Sequence, residues 1–82
     1  MGPQWRQVDA ALFAAVVGGR DGARYHLIVE RLPSGNDWDW TVWRPGDAPR
    51  AARHGVASSA AEAMRAAQAA VRLWEAGTSP DA

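Results

Sequence analysis

The side chains that could do chemistry are few and far apart. His26 and His54 are the only imidazoles in the 82 residues, and no cysteine accompanies them. A zinc site asks for about three or four nitrogen or sulfur donors, and two histidines on separate segments do not supply them. Asp37 and Asp39 stand two apart, the spacing of same-face neighbours on a strand. Their place where a turn gives way to a strand accounts for both. Ser58 and Ser59 precede a helical stretch and read as helix-capping residues rather than nucleophiles. The run GGRDG, Gly18 to Gly22, lacks the lysine and hydroxyl residue of a phosphate-binding loop, and no helix follows it. With no acid, base and nucleophile in one constellation, the sequence argues against an enzyme and calls for no cofactor and no metal.

Contact, rather than catalysis, is the chemistry the aromatic residues offer. Asn36 to Gly46 reads NDWDWTVWRPG, with three of the five tryptophans inside six residues. Alternation along a strand sends Trp38, Trp40 and Val42 to one face and Asp39, Thr41 and Trp43 to the other. The first set reads as core, and truncating a buried tryptophan costs roughly 3–5 kcal/mol. Trp43 is sent outward.

The elements that position these residues follow from pattern. Tyr25, Leu27 and Val29 share one face of a strand over residues 23–32, with His26, Ile28 and Glu30 on the other. Pro33 to Asp37 (PSGND) is a turn leading into the strand 38–44. Pairing Val29 with Trp38, Leu27 with Trp40 and Tyr25 with Val42 sets apolar against apolar; a slip by two residues preserves the faces. A short edge strand can follow within 51–57. Ser59 then opens a capping box with Glu62, its hydroxyl accepting the Glu62 N–H while the Glu62 carboxylate reaches back to the Ser59 N–H. The seventeen residues after Ser59 contain no proline or glycine, and Gly77 stands where a left-handed cap belongs. Ala60, Met64, Ala67, Val71 and Trp74 form its apolar stripe, and Glu62, Arg65, Gln68, Arg72 and Glu75 its solvated side, with opposite charges three residues apart. Residues 12–18 (LFAAVVG) read as a strand entering a hairpin, the alternative being a two-turn helix capped by Asp9.

The expected fold is therefore α+β: a three- to four-stranded antiparallel sheet with one long C-terminal helix on one face, in the order β-β-β-(β)-α, or α-β-β-β-α if 10–17 is helical. It makes one domain over residues 1–82, with an ordered core of about residues 5–76. The only apolar run, Ala11 to Val17, is too short to span a bilayer, and Asp9 directly before it spoils it as a signal-peptide core. Absence of cysteine fits a reducing, cytoplasmic setting. Nine basic residues, all arginine, balance nine acidic ones, so no general attraction to phosphate backbones or anionic membranes is expected.

Three resemblances rest on the second half or so of the chain. Gly55 to Val71 (GVASSAAEAMRAAQAAV) resembles the C-terminal helix of double-stranded RNA-binding domains, with its serine start and spaced Glu-Ala and Ala-Ala pairs. The RNA-gripping lysines of that family fall here on Ala60, Ala61 and Met64, which carry no charge. The order of strands followed by an alanine helix, with tryptophan-rich strands, is also similar to small uncharacterised bacterial domains. Plant-type DNA-binding domains with three strands and a helix, which read the groove with Arg and Trp on the sheet, share this layout too.

A helix on one side leaves the other side of the sheet open, carrying His26, Ile28, Thr41 and Trp43 with Arg24 and Arg44 at the margins. Such a face suits a non-catalytic interaction module that meets a protein partner or a second copy of itself. The alternative is weak nucleic-acid binding, with Arg24, Arg44, Arg50 and Arg53 around a base-stacking Trp43. Plain packing of Trp43 against Trp5 or the Arg24 stem is the third reading.

Overall fold

Alternation and turn chemistry together give a five-stranded antiparallel meander followed by one helix. The computed structural model describes residues 3–77. Strands β1 (Arg6–Asp9), β2 (Leu12–Gly18), β3 (Arg24–Arg31), β4 (Trp38–Trp43) and β5 (Arg53–Ala57) each pair with the next, and helix α1 (Ala60–Glu75) closes the order. The architecture is the expected α+β sheet and helix, with β1 as an additional strand. Residues 12–18 are a strand and not a helix. Asp9, which would have capped such a helix, instead turns β1 into β2: its Oδ1 accepts the Ala11 N–H at 2.8 Å. The pairing shifts between Gln7 and Asp9, which leaves Val8 as the extra residue of a bulge.

The β3–β4 register differs by two residues from the expected one. Leu27 faces Val42, Val29 faces Trp40 and Arg31 faces Trp38. The cause lies in the turn. The expected register would have closed on a two-residue loop of Pro33 and Ser34, whose favoured forms need a positive φ at the first position. Proline is locked near −65°. The hairpin therefore closes on Leu32 and Asp37, with the Leu32 N–H on the Asp37 carbonyl at 2.9 Å and four residues between them. Parity is unchanged, so the two faces keep their membership.

Helix α1 begins as its sequence requires, with the Ser59 hydroxyl accepting the Glu62 N–H at 3.1 Å. The returning limb of the capping box is not made. The Glu62 carboxylate takes the Ser58 hydroxyl at 2.6 Å instead, and this bond holds its pKa below the usual value. At the other end the Gly77 φ of 78° ends the helix in the left-handed region. Ala63, Ala67 and Val71 are the buried line, while Met64 sits on its flank. Alanine keeps this line shallow, so the helix lies directly on β3, β4 and β5.

Beneath it Tyr25, Leu27, Val29 and Val42 are the largest fully buried side chains. Trp38 and Trp40 point to this same side as expected, but both are half-buried and not enclosed. Trp38 tilts against Phe13, ring centres 6.0 Å apart, and Trp40 packs on the margin of the core, as Trp5 and Trp74 do elsewhere along it. A narrow alanine helix cannot roof indoles over the full width of the sheet, so the indoles form a rim around a centre of Tyr25 and aliphatic side chains.

Gly55 is what lets Trp40 lie down. It is the register partner of Trp40 on β5, and a Cβ at Gly55 would stand 2.8 Å from the indole. Gly55→Val should therefore destabilise the fold by about 2 kcal/mol or more. Gly18→Ala, where nothing lies within 4 Å of the added carbon, should stay within about 0.5 kcal/mol of the parent. Urea unfolding of the two variants checks both.

Candidate functional site

The side of the sheet away from α1 carries a patch built by three neighbouring strands. Cross-strand pairing sets Val16, His26 and Trp43 in one row and Ala14, Ile28 and Thr41 in the next. Arg6 on β1 and His54 on β5 extend the second row to the two edges. Trp43 stacks on the imidazole of His26 with centres 5.4 Å apart and planes 28° from parallel. Its partner is thus His26, and neither Trp5, which packs on the helix side, nor Arg24. Gln4, Arg6, Val16, His26, Ile28 and Trp43 line a shallow depression of about 420 Å³. Val16 and Val56 on this side are more than half exposed, at 53% and 59%.

Of the five residues expected at a binding surface, three come together. Trp43, His26 and Ile28 share the patch, and Arg24 stands exposed at its end where β3 begins. Arg44 does not join them. Counting by twos from Trp40 and Val42 puts it on the helix side, where its guanidinium lies 4.8 Å from the centre of the Trp74 ring. The turn Arg44-Pro45-Gly46-Asp47, with Gly46 at φ 95°, brings Asp47 back onto Arg44 at 2.9 Å. Arg53 joins it at 4.2 Å from the same ring. Two of the four arginines expected around Trp43 are thereby held at Trp74, a cation–π arrangement worth about 0.5–2 kcal/mol each. Residues that sequence reasoning missed are Gln4, Arg6 and Val16. Val16 was readable from the alternation of β2, whereas the four residues of β1 carry no apolar periodicity, all being exposed.

A second polar cluster sits at the C-terminal end of α1. Tyr25 donates its hydroxyl to Glu75 Oε2 at 2.5 Å, and the Arg20 backbone N–H donates to Glu75 Oε1 at 2.5 Å. The Arg20 guanidinium meets the Glu75 backbone carbonyl. Gly19 passes so close that a Cβ there would stand 2.6 Å from both the Glu75 carboxylate and the Tyr25 ring. Glu75 is thus drawn to the β2–β3 turn, and no ion pair with Arg72 closes among the described residues. The Tyr25 hydroxyl, the Arg20 backbone N–H and one nitrogen of the Arg20 guanidinium are all spent on Glu75. The arrangement is that of a latch between the helix end and the sheet.

The two histidines lie on different strands of the open side, β3 and β5, with β4 between them. Among the described residues no group of three potential metal ligands forms, and no helix is long and apolar enough to cross a membrane. No family model, curated protein or solved structure matches the chain.

The latch has a pH signature. The hydrogen bond from Tyr25, then the Arg20 N–H, holds the Glu75 carboxyl below its ordinary pKa. Burial first, then the bond to Glu75, pushes the Tyr25 phenol up. A carboxylate with a depressed folded pKa adds stability above its unfolded pKa and loses it as pH falls through the folded value. A phenol with a raised one adds stability below about pH 10 and loses it as pH climbs past the folded value. The latch should therefore hold from neutral to mildly alkaline pH and weaken at both extremes. Glu75→Gln should shrink the drop in urea midpoint between neutral and acid pH, and an unchanged drop would remove Glu75 from this role.

Proposed function

We propose that this chain is a non-catalytic interaction module that meets a protein surface through the uncovered side of its sheet, with Trp43 at the centre. One observation carries the reading: Trp43, stacked on His26, stands with Val16 and Ile28 on a face that no element of the described residues covers. Isolated exposed apolar residues are ordinary. Here they are contiguous across three strands and bordered by polar groups, which is how contact surfaces are composed.

The competing reading, a nucleic-acid platform, has less support. Base stacking on Trp43 would need cations around it to follow the phosphates, and Arg44 and Arg53 are occupied at Trp74 on the other side. Net charge is zero, so no long-range attraction compensates.

Removing Trp43 separates contact from folding. Trp43→Ala loses a cross-strand ring pair at a half-buried position and should cost about 1 kcal/mol of stability. Sedimentation velocity over a concentration series should show association that is abolished by this substitution. Binding of short oligonucleotides at low salt that falls steeply as salt rises would replace the protein reading with the nucleic-acid one.

A further inference from the structure

The open side is polar in the electrical sense, and its polarity selects a partner. Glu30 on β3 and Asp39 on β4 are direct register partners, two carboxylates side by side on neighbouring strands, an arrangement that costs a sheet stability. Neither forms an ion pair among the described residues. At the opposite end of the same strand and on the same side, Arg24 is exposed and likewise in no ion pair. Between the two ends lie the uncharged side chains Ala14, Val16, Ile28, Thr41 and Trp43, together with His26, while Arg6 and His54 stand at the two sheet edges. An acid end, a largely apolar middle and a basic end on the central strand form a surface complementary to itself when turned end for end.

We propose that the occupant of this face is a second copy of the chain, stacked face to face with its strands reversed, so that β3 lies over β3 and Arg24 of each copy meets Glu30 of the other. The inference rests on the reading of the open side as a protein-contact surface and adds the partner and its orientation.

The geometry follows from symmetry. A two-fold axis in the interface and across the strands carries residue 24 onto residue 30, with its centre beside Leu27, and carries Ile28 onto His26 and Trp43 onto Thr41. The other face-to-face choice, an axis along the strands, would set Glu30 against Glu30 and Arg24 against Arg24. Like charges facing each other select against that mode. Five strands at about 4.8 Å spacing make a flat footprint on the order of 500 Å² per copy. A standard stable interface buries about 800 Å² per partner, so this dimer is weak, reversible and dependent on concentration.

Charge reversal tests it. Arg24 and Glu30 are exposed, so their substitution leaves the core intact, which the melting temperature verifies. In sedimentation equilibrium Arg24→Glu and Glu30→Arg should each weaken the wild-type dimer roughly tenfold, each placing two like-charge contacts in the symmetric interface. The double variant R24E/E30R should return association to near the wild-type level. A wild-type chain that stays monomeric at every concentration overturns the second copy as occupant. A double variant no better than the single ones overturns the reversed stacking, while loss of association in Trp43→Ala would in that case still uphold the face. Association that survives Trp43→Ala overturns the face and this inference together.

Discussion

The close approach of α1 to the sheet depends on a line of alanines. Ala63 and Ala67 are fully buried, and their short side chains let the helix rest close on Tyr25, Leu27, Val29 and Val42, with Val71 and Trp74 as its larger contacts near the C-terminal end. That economy has a geometric consequence. A helix of 16 residues is about 24 Å long and about 10 Å across, which is narrower than five strands at about 4.8 Å spacing. It roofs part of one side and none of the other.

The tryptophans answer the first shortfall. Trp5, Trp40 and Trp74 pack on the margin of the core cluster, and Trp38 leans on Phe13 beyond it. Trp5, Trp38 and Trp40 act as walls where the helix does not reach, Trp74 widens the last turn of the helix itself, and half-burial is what a wall requires. Trp74 also draws Arg44 and Arg53 to itself, which removes two cations from the sheet's surroundings and leaves the open side with separated charges rather than a basic field. The helix end is fixed by a different means, through the Tyr25 hydroxyl and the Arg20 backbone on Glu75. Core, rim and latch all work on the helix side. None of them uses Val16, Ile28 or Trp43.

Much of this was legible in residue parity. Period-two alternation assigned both faces of β3 and β4 correctly, including the outward Trp43, and the Ser59 and Gly77 caps bounded α1. Apolar matching alone sets the β3–β4 register two residues off, because Pro33 forbids the tighter loop which that match would close on. Arg44 belongs on the helix side by its even parity with Trp40 and Val42, but its attraction to Trp74 depends on residues thirty positions apart meeting in space and leaves no mark on the sequence. Strand β1 had no signal to find. Its four residues are exposed, and it is held by pairing with β2 and by the Asp9 turn rather than by burial. The His26–Trp43 stack likewise required the register before it could be seen.

Why the face, and not an edge, is proposed as the contact surface follows from how the edges are made. Sheet edges invite another strand unless something blocks them. At one edge β1 is short, bulged at Val8 and flanked by Arg6 and Asp9, all features that discourage continuation. At the other, β5 runs for five residues between the Pro49–Ala51 turn and the start of α1, and the helix packs against it. A strand added there would have to pass Arg53, which is held over Trp74, and would gain few side-chain contacts beside Gly55. The open side has no such obstacles. Its apolar residues are contiguous, with Arg24 at one end of the central strand, Glu30 and Asp39 at the other and Arg6 on the β1 edge, so what remains accessible on this domain is broad, flat and directional.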